Sequence, residues 1–477
     1  MKTTILLSVR EGVSIKEQGP DQITLEVPFV NTLTSTLTLK QLTTTLLAGI
    51  KQLVDRGITE HQLTEQVMEK DGAQGLYKLK HYLSRMAQQA LICHTVSVDG
   101  EPFATIVPLA NGYWFDSDGV KSQARYSASR FAYCRKEGNR FVLETPMGYA
   151  QVKLHSKLAL ALWSDLSQPR SCAELSQLVE GLSEDAVSQF VNLLLAAQLV
   201  FAVDETGRLP EETDLALAQW EFHDLLFHSR SRLGRHDNPW GKTHRFEGVI
   251  DPLPPVKPAM SEAPIPLYKP DLDQLNQADP PFSRVLEDRK SIREMAESPI
   301  TEQQLGEFLY RTARVKQIYY DDLGGVTFRP FPGGGALHGL EIYPVIDRCA
   351  DIPSGLYHYE PLEHQLSKVS DRNHYVDILL DMAWFQIKKA SRPPVLFTIA
   401  ARFQRFQWKY SSMAYALILK DVGCLYQTMY LVAAAMGLAP CALGGGHSDV
   451  FALATGLNYY AETSVGGFVL GIPASAA

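Results

Sequence analysis

The stretch of the chain from residue 415 to 436 is apolar almost throughout, and it limits the possible folds more than any other feature. It is long enough to cross a membrane, but Lys420 and Asp421 lie inside it, and placing both charges in lipid would be costly. We therefore predict a buried helix in a soluble protein, ending at Gly437 with Pro440 just beyond it. Because almost every face of this helix is apolar, one small domain can hardly cover it, and we expect a dimer interface to do so.

Size, charge and cysteine spacing exclude several other classes of protein. A chain of 477 residues usually divides into about two to four domains. The net charge of −8 argues against a general nucleic-acid binder. The apolar run at the N-terminus is too short for a signal peptide, so we expect a cytoplasmic protein. No cysteines form a C-x-x-C pair, so we expect reduced thiols and no bound metal. The cysteines are Cys93, Cys134, Cys172, Cys349, Cys424 and Cys441.

Residues 1–210 contain a weak internal repeat in which two helices are followed by a short strand. Residues 62–67, QLTEQV, are echoed by residues 174–179, ELSQLV. Helix, helix, strand is the order of a winged-helix unit, so we predict winged-helix-like modules at 1–110 and 111–212. The helices of the two copies are predicted at 76–89 and 184–198, and the strands at 91–93 and 199–201.

The charges of these modules do not favour DNA recognition. Residues 1–210 contain 20 lysines and arginines against 22 acidic residues, and the helix at 184–198 begins with Glu184 and Asp185. Phosphate binding would require the opposite charge. We expect a peptide-binding or purely structural role.

A connecting segment, residues 213–282, separates the modules from a last domain at 283–477. His223 and His228 are five residues apart, which does not place them on one helical face for a metal, so we interpret them as packing residues. Nine of the 27 prolines lie between residues 252 and 281, which predicts a stiff, extended connector.

The last domain opens with Arg289, Ser291 and Arg293. Arginines four residues apart share one face of a predicted helix start, where guanidinium groups and the helix N-terminus can grip a phosphate. Basic pairs on exposed helices are common, so this motif alone favours phosphate binding only weakly.

Two glycine clusters, 333–335 and 444–446, could let the backbone approach a flat ligand. Neither fits G-x-G-x-x-G, so a dinucleotide-binding Rossmann domain has no support, and a flexible turn is the alternative interpretation of each. Strands are predicted at 340–345, 355–359, 364–369, 395–400 and 464–471.

Taken together, these pieces resemble the nitroreductase-like flavin fold and, more closely, the McbC/SagB-type azoline oxidases. The resemblance is carried by WEFHDLLFHSR at 220–230, GGALH at 334–338, the pair Lys409-Tyr410, and LKDVGCLYQTMY at 419–430. With two modules in front, the whole chain is similar to the cyanobactin oxidases. This resemblance implies an α+β fold, in which a dimeric, nitroreductase-like FMN domain follows two winged-helix-like modules.

The resemblance also implies roles for individual residues. Lys409 and Tyr410 match the pair assigned to catalysis, the arginine motif matches FMN phosphate and ribityl contacts, and the turn 332–335 would reach the flavin from the partner subunit. Gly333 stands where relatives often have serine. The implied cofactor-binding residues are Arg289, Ser291, Arg293, Pro332, Gly333, Gly334, Gly335, Gln427, Gly444, Gly445 and Gly446.

The implied activity is oxidation of thiazolines and oxazolines in a heterocyclised precursor peptide to the aromatic azoles, by a homodimer that uses O2 as electron acceptor and binds neither nucleic acid nor a membrane. A lysine whose pKa is lowered by burial could act as the base. The base could equally be Tyr410, and the sequence does not decide between them. The alternative functions are an NAD(P)H-dependent nitro or quinone reductase and a non-catalytic peptide-binding scaffold.

Overall fold

The computed structural model describes residues 2–28, 35–121 and 123–474. They form two compact units, Met1–Trp240 and Gly241–Ala477, and both units contain helices and strands. The mixed helix and sheet content confirms the predicted α+β class. The division into four segments remains a prediction, since the two units meet at Trp240 and Gly241 and not at any of the predicted boundaries.

The first unit is built on a six-stranded antiparallel sheet with the order β1-β5-β6-β10-β9-β8. This sheet joins strands from both predicted modules. Smaller sheets have the orders β2-β3-β4 and β11-β7. The strands are β1 (Thr3–Val9), β2 (Ser14–Gly19), β3 (Gln22–Glu26), β4 (Thr36–Leu39), β5 (Ile92–Val98), β6 (Glu101–Pro108), β7 (Tyr126–Ala128), β8 (Tyr133–Glu137), β9 (Arg140–Glu144), β10 (Ala150–Leu154) and β11 (Val200–Ala202).

Helices of the first unit begin where a hydroxyl can cap them. Thr43 and Ser183 accept hydrogen bonds from the backbone N–H three residues on, which satisfies a donor that the helix itself leaves unpaired. Residues 62–67 and 76–89 were predicted to be separate helices, and Gly72 does interrupt Glu60–Gln88 between them, with a φ of 65° that is not helical. The helices are α1 (Thr44–Asp55), α2 (Glu60–Gln88), α3 (Lys157–Asp165), α4 (Cys172–Leu178), α5 (Glu184–Ala196), α6 (Pro210–Thr213) and α7 (Phe222–Arg230).

The second unit is built on a seven-stranded antiparallel sheet with the order β13-β18-β17-β16-β19-β22-β21. Both faces are covered, so the two central strands, β16 and β19, are buried along their whole length. The strands are β12 (Gly241–Lys242), β13 (Ile265–Pro266), β14 (Gln317–Tyr319), β15 (Val326–Phe328), β16 (Leu340–Ile346), β17 (Gly355–Glu360), β18 (Gln365–Asp371), β19 (Val395–Arg402), β20 (Tyr410–Ser411), β21 (Ala439–Leu443) and β22 (Glu462–Gly471).

Two layers of helices sandwich this sheet. One core lies between the sheet and a long central helix, and a second core packs side chains such as Leu380 and Phe451 against the opposite face. The helices are α8 (Leu272–Ala278), α9 (Phe282–Asp288), α10 (Glu302–Ala313), α11 (His374–Gln386), α12 (Phe403–Gln407), α13 (Ala414–Ala435) and α14 (Ser448–Thr455).

The predicted apolar helix is α13, and it ends as expected, with Gly437 in the left-handed region (φ 65°). Only part of its surface is covered within the chain: Tyr415 is 45% exposed and Leu419 is 40% exposed. In the described residues, none of the helices has the combination of length and apolar character that a bilayer crossing requires.

The proline-rich segment belongs to the second unit and packs on it. Buried Arg402 donates to the carbonyl of Pro254 (3.0 Å), and buried Arg405 donates to that of Leu253 (2.8 Å). Proline lacks an N–H, so the segment has fewer donors than carbonyls, and these arginines satisfy two of the carbonyls.

Candidate active site

A cavity of about 410 Å³ opens beside the second glycine cluster, between α11, α13 and the ends of β19 and β22. Gly444, Gly445 and Gly446 are exposed along its rim. The N–H of Gly445 donates to Oε1 of Gln386 (2.9 Å), and the N–H of Gly467 donates to the hydroxyl of Tyr426 (2.7 Å). The backbone is therefore held in place while its glycines leave room for a flat group.

The arginine motif lies beside the opposite end of β21. The N–H of Ile292 donates to the carbonyl of Pro440 (2.8 Å), and the hydroxyl of Ser291 lies 2.7 Å from that of Tyr430. The guanidinium carbon of Arg289 is 5.3 Å from the centre of the Tyr430 ring. The motif and the glycine rim thus flank one strand.

The predicted helix start at the arginine motif is wrong. Helix α9 ends at Asp288, with Arg289 as its C-terminal cap, and the rest of the motif is neither helix nor strand. The backbone hydrogen bond from Ile292 to Pro440 ties this chain to β21 in place of helical bonds. A helix N-terminus therefore does not contribute to this site.

The first glycine cluster forms a strained turn on another part of α13. Gly335 has φ 61°, and Ala336 and His338 are also left-handed (φ 55° and 41°). That conformation is uncommon for residues with a Cβ, and such strain persists only where neighbours enforce it. Arg405 supplies one restraint, donating to the carbonyl of Leu337 (3.1 Å).

Asp421 supplies a second restraint. Its Oδ1 and Oδ2 lie 2.9 and 3.1 Å from the N–H of Gly334, which donates to the carboxylate. Asp421 is 4% exposed, and burial raises its pKa to about 6. The hydrogen bond from Gly334 lowers the pKa, but by less than burial raises it. In the sequence, Asp421 argued against a membrane span and lay within the family-like stretch 419–430, but it was not predicted to be part of the site.

Tyr410 lies against this turn, and Lys409 precedes Tyr410 in the chain. A Cβ added at Gly335 would collide with the hydroxyl of Tyr410, so glycine is required there. Burial lowers the pKa of Lys409, with Lys242 and Arg405 acting in the same direction and Asp321 opposing them. Burial also raises the pKa of Tyr410, and the charge of Asp421 adds to that increase. Both shifts favour the uncharged form of the side chain, an amine at Lys409 and a phenol at Tyr410.

Buried His338 was not predicted as part of the site. Burial, together with the charges of Arg329 and Arg405, lowers its pKa to about 3, so it is neutral. A Cβ on Gly333 would lie 2.9 Å from His338 Nδ1. A side chain at position 333 would therefore crowd this ring unless the ring moved.

The structure brings some of the predicted residues together and keeps others apart. Tyr415, Leu419, Val422 and Tyr426 line the cavity and recur at helical spacing on one face of α13. Leu417 and Asp421, which contact the turn 333–335, lie on the opposite face. Within one chain, therefore, the turn and Tyr410 do not face the cavity. Gln427 is exposed on α13 and does not line the cavity.

One group of metal-ligating side chains is found in the described part of the chain. Glu221, His223 and Asp224 have ligand atoms within 4.8 Å of one another, and all three are exposed. Exposed acidic groups of this kind are common without an ion, so we assign no metal to them.

Three family models match successive parts of the chain. The model of the ThcOx helix turn helix domain matches residues 1–117, that of cyanobactin oxidase ThcOx matches 126–237, and that of the nitroreductase family matches 286–472. These matches follow one another along most of the chain, and the winged-helix-like interpretation agrees with the first of them.

Three curated relatives align with parts of the chain. MJ1384 of Methanocaldococcus jannaschii, named as a nitroreductase, is 28% identical over 37% of this chain and 81% of its own length. The trifolitoxin-processing protein TfxB of Rhizobium leguminosarum is 26% identical over 27% of this chain and 35% of its own length. The microcin B17-processing protein McbC of Escherichia coli is 27% identical over 24% of this chain and 43% of its own length. The chain thus spans less than half the length of the two processing proteins. The chain is therefore similar to nitroreductase-family proteins over residues 286–472 and to cyanobactin oxidase ThcOx over residues 126–237.

Proposed function

We propose that this protein is an FMN-dependent oxidase that converts thiazolines and oxazolines of ribosomally made peptides, such as cyanobactin precursors, to azoles. It works in the cytoplasm as a homodimer, with O2 as the final electron acceptor. The observation that carries the proposal is the contact between Tyr410 and the strained glycine turn, next to a lysine whose pKa is lowered. The naming of TfxB and McbC as peptide-processing proteins supports it.

The residues around β21 fit FMN. A flat ring system needs a wall without side chains, and Gly444, Gly445 and Gly446 offer one beside a cavity of about 410 Å³. A phosphate needs cationic donors, which Arg289 and Arg293 would supply near the other end of the strand. When bound there, FMN would accept a hydride from the substrate ring.

A second copy of the chain completes the proposed site. The cavity and the turn 333–335 lie on opposite faces of α13, so a single chain cannot bring Tyr410 over its own glycine rim. The exposed side chains of Tyr415 and Leu419 provide apolar area for a partner. In a two-fold dimer, the turn of each chain would face the cavity of the other.

Lys409 and Tyr410 divide the proton chemistry. Oxidation of an azoline removes one hydrogen as a proton and another with its electron pair. Lys409 takes the proton at Nζ, because its lowered pKa increases the fraction of free amine. Tyr410, whose pKa is raised, stays protonated and donates a hydrogen bond from its hydroxyl to the azoline nitrogen.

The first unit is proposed to bind the precursor peptide and not DNA. Helix α5 has Glu184 and Asp185 in its first turn and no basic residue in its last turn. A helix that reads DNA needs positive charge to bind the phosphates.

The test is incubation of the purified protein with a heterocyclised peptide in air. The expected result is a yellow protein and a mass loss of two hydrogen atoms per ring. A colourless protein that does not take up FMN would indicate the alternative function, a non-catalytic peptide-binding scaffold. Rapid NADPH oxidation with a nitro or quinone acceptor, without azole formation, would indicate a reductase.

A further inference from the structure

The turn 333–335 is enclosed by side chains that are distant in sequence. Tyr410 lies against Gly335, Leu417 lies 3.3 Å from the position of a Cβ on Gly334, and the Asp421 carboxylate accepts the Gly334 N–H. Asp421 and Tyr410 are therefore connected through two consecutive glycines, Gly334 and Gly335. These glycines have no side chains of their own to anchor the turn.

Asp421 is an unusual residue at this position. It is the only acidic residue in the apolar stretch 415–436, and an uncompensated buried carboxylate is unfavourable. In the described part of the chain its one hydrogen bond to the backbone is from Gly334, and no lysine, arginine or histidine forms an ion pair with it. Packing alone would favour an apolar side chain here, so we attribute the carboxylate to its hydrogen bond with the turn.

We propose that Asp421 is a positioning residue, which anchors the glycine turn through the Gly334 amide and thereby fixes the place of the Tyr410 hydroxyl. This inference rests on the proposed function, in which that hydroxyl contacts the substrate. Asp421 itself does not touch the substrate. It acts through Gly334 and Gly335, which lie between it and the tyrosine.

Hydrogen exchange tests the anchoring without any assay of activity. In the flavin-loaded protein, the amides of the peptide 330–339 should be protected. Replacing Asp421 by alanine should speed their exchange by about tenfold or more, the size of one hydrogen bond to a charged group. Asp421→Asn keeps an oxygen that can accept from Gly334, and it should exchange like the wild type.

Two results of this experiment contradict the proposal. In the first, the peptide 330–339 of the wild type exchanges as fast as an unstructured loop. This measurement needs no variant, so it can be made even if Asp421→Ala does not fold. The other is equal exchange in Asp421→Ala and the wild type.

A double-mutant cycle tests the connection to Tyr410. Asp421→Ala should lower kcat for azoline oxidation by about 10- to 100-fold with little change in KM, and Asp421→Asn should restore most of it. Combined with Tyr410→Phe, which lacks the hydroxyl, Asp421→Ala should add less than about twofold. If the two losses multiply, Asp421 does not act through Tyr410 and the proposal is wrong. A wild-type protein that oxidises no azoline would refute the proposed function, while the exchange experiment would still decide whether Asp421 anchors the turn.

Discussion

Replacement of Asp421 by asparagine should make the protein more stable at neutral pH, by an amount that depends on pH. In the folded protein, burial raises the pKa of Asp421 from 3.8 to about 6. An acid whose pKa is raised by folding favours the folded state below its unfolded pKa, and that contribution is lost as the pH rises through the folded value. The contribution of Asp421 to wild-type stability is therefore lost between pH 4 and 7, whereas an asparagine at this position cannot titrate.

The magnitude follows from the difference in pKa. One pH unit corresponds to about 1.36 kcal/mol, so a rise from 3.8 to about 6 corresponds to roughly 3 kcal/mol. The free energy of unfolding of Asp421→Asn, relative to the wild type, should increase by up to that amount between pH 4 and pH 7.5. Asparagine keeps the size of the side chain and an acceptor for Gly334, so packing should change little.

The assay is denaturant unfolding of both proteins at several pH values, followed by tryptophan fluorescence. Asp251→Asn is a suitable control, because Asp251 is an exposed carboxylate in the same unit and its charge stays in water. A stability difference that stays constant within about 1 kcal/mol over this pH range would refute the assignment of a costly buried charge, since the expected linkage is several times larger. The same difference in the Asp251→Asn control would show that the effect is not specific to Asp421.

Three further substitutions test the remaining parts of the site. Arg289→Ala should weaken FMN binding by roughly 1.5–3 kcal/mol, the contribution of a charged hydrogen bond; unchanged affinity in a fluorescence titration would remove Arg289 from the site. Lys409→Ala should retain FMN and lower the rate of azoline oxidation by about 10²–10⁴-fold, as expected for loss of a general base; a near wild-type rate would show that another group takes the proton. Gly335→Ala should reduce turnover and thermal stability, because φ is 61° and the new Cβ would collide with the Tyr410 hydroxyl. Gly138→Ala is its matched control, with a similar φ of 56° and open space around the Cβ, so equal losses in both variants would mean that only backbone strain is being measured.

Elements with strong local signals could be predicted from the sequence. The apolar helix was expected at 415–436 and lies at Ala414–Ala435, and the buried strand expected at 395–400 lies at Val395–Arg402. In both, neighbouring residues share one preference, and a stop such as Gly437 is itself local. The order of the predicted pieces also indicated the resemblance that the three family models match.

The arginine motif shows where local signals fail. Its spacing suits a helix, but the chain there is not helical, because the N–H of Ile292 bonds to the carbonyl of Pro440, almost 150 residues further on. Local sequence carries no information about such a partner. The cofactor roles of Arg289 and Arg293 came from family resemblance, and they remain predictions.

The sequence by itself determined the long helices, the buried strands, the glycine clusters and the Lys409-Tyr410 pair, because each depends on residues that are close together in the chain. Only the tertiary structure decided that Tyr410 rests on Gly335, that Asp421 holds Gly334, and that this turn and the cavity occupy opposite faces of α13. These contacts join segments that are about 75 to 90 residues apart in sequence. They form because folding packs both segments on one buried helix. A buried polar group there must bond to whichever partner the fold places beside it.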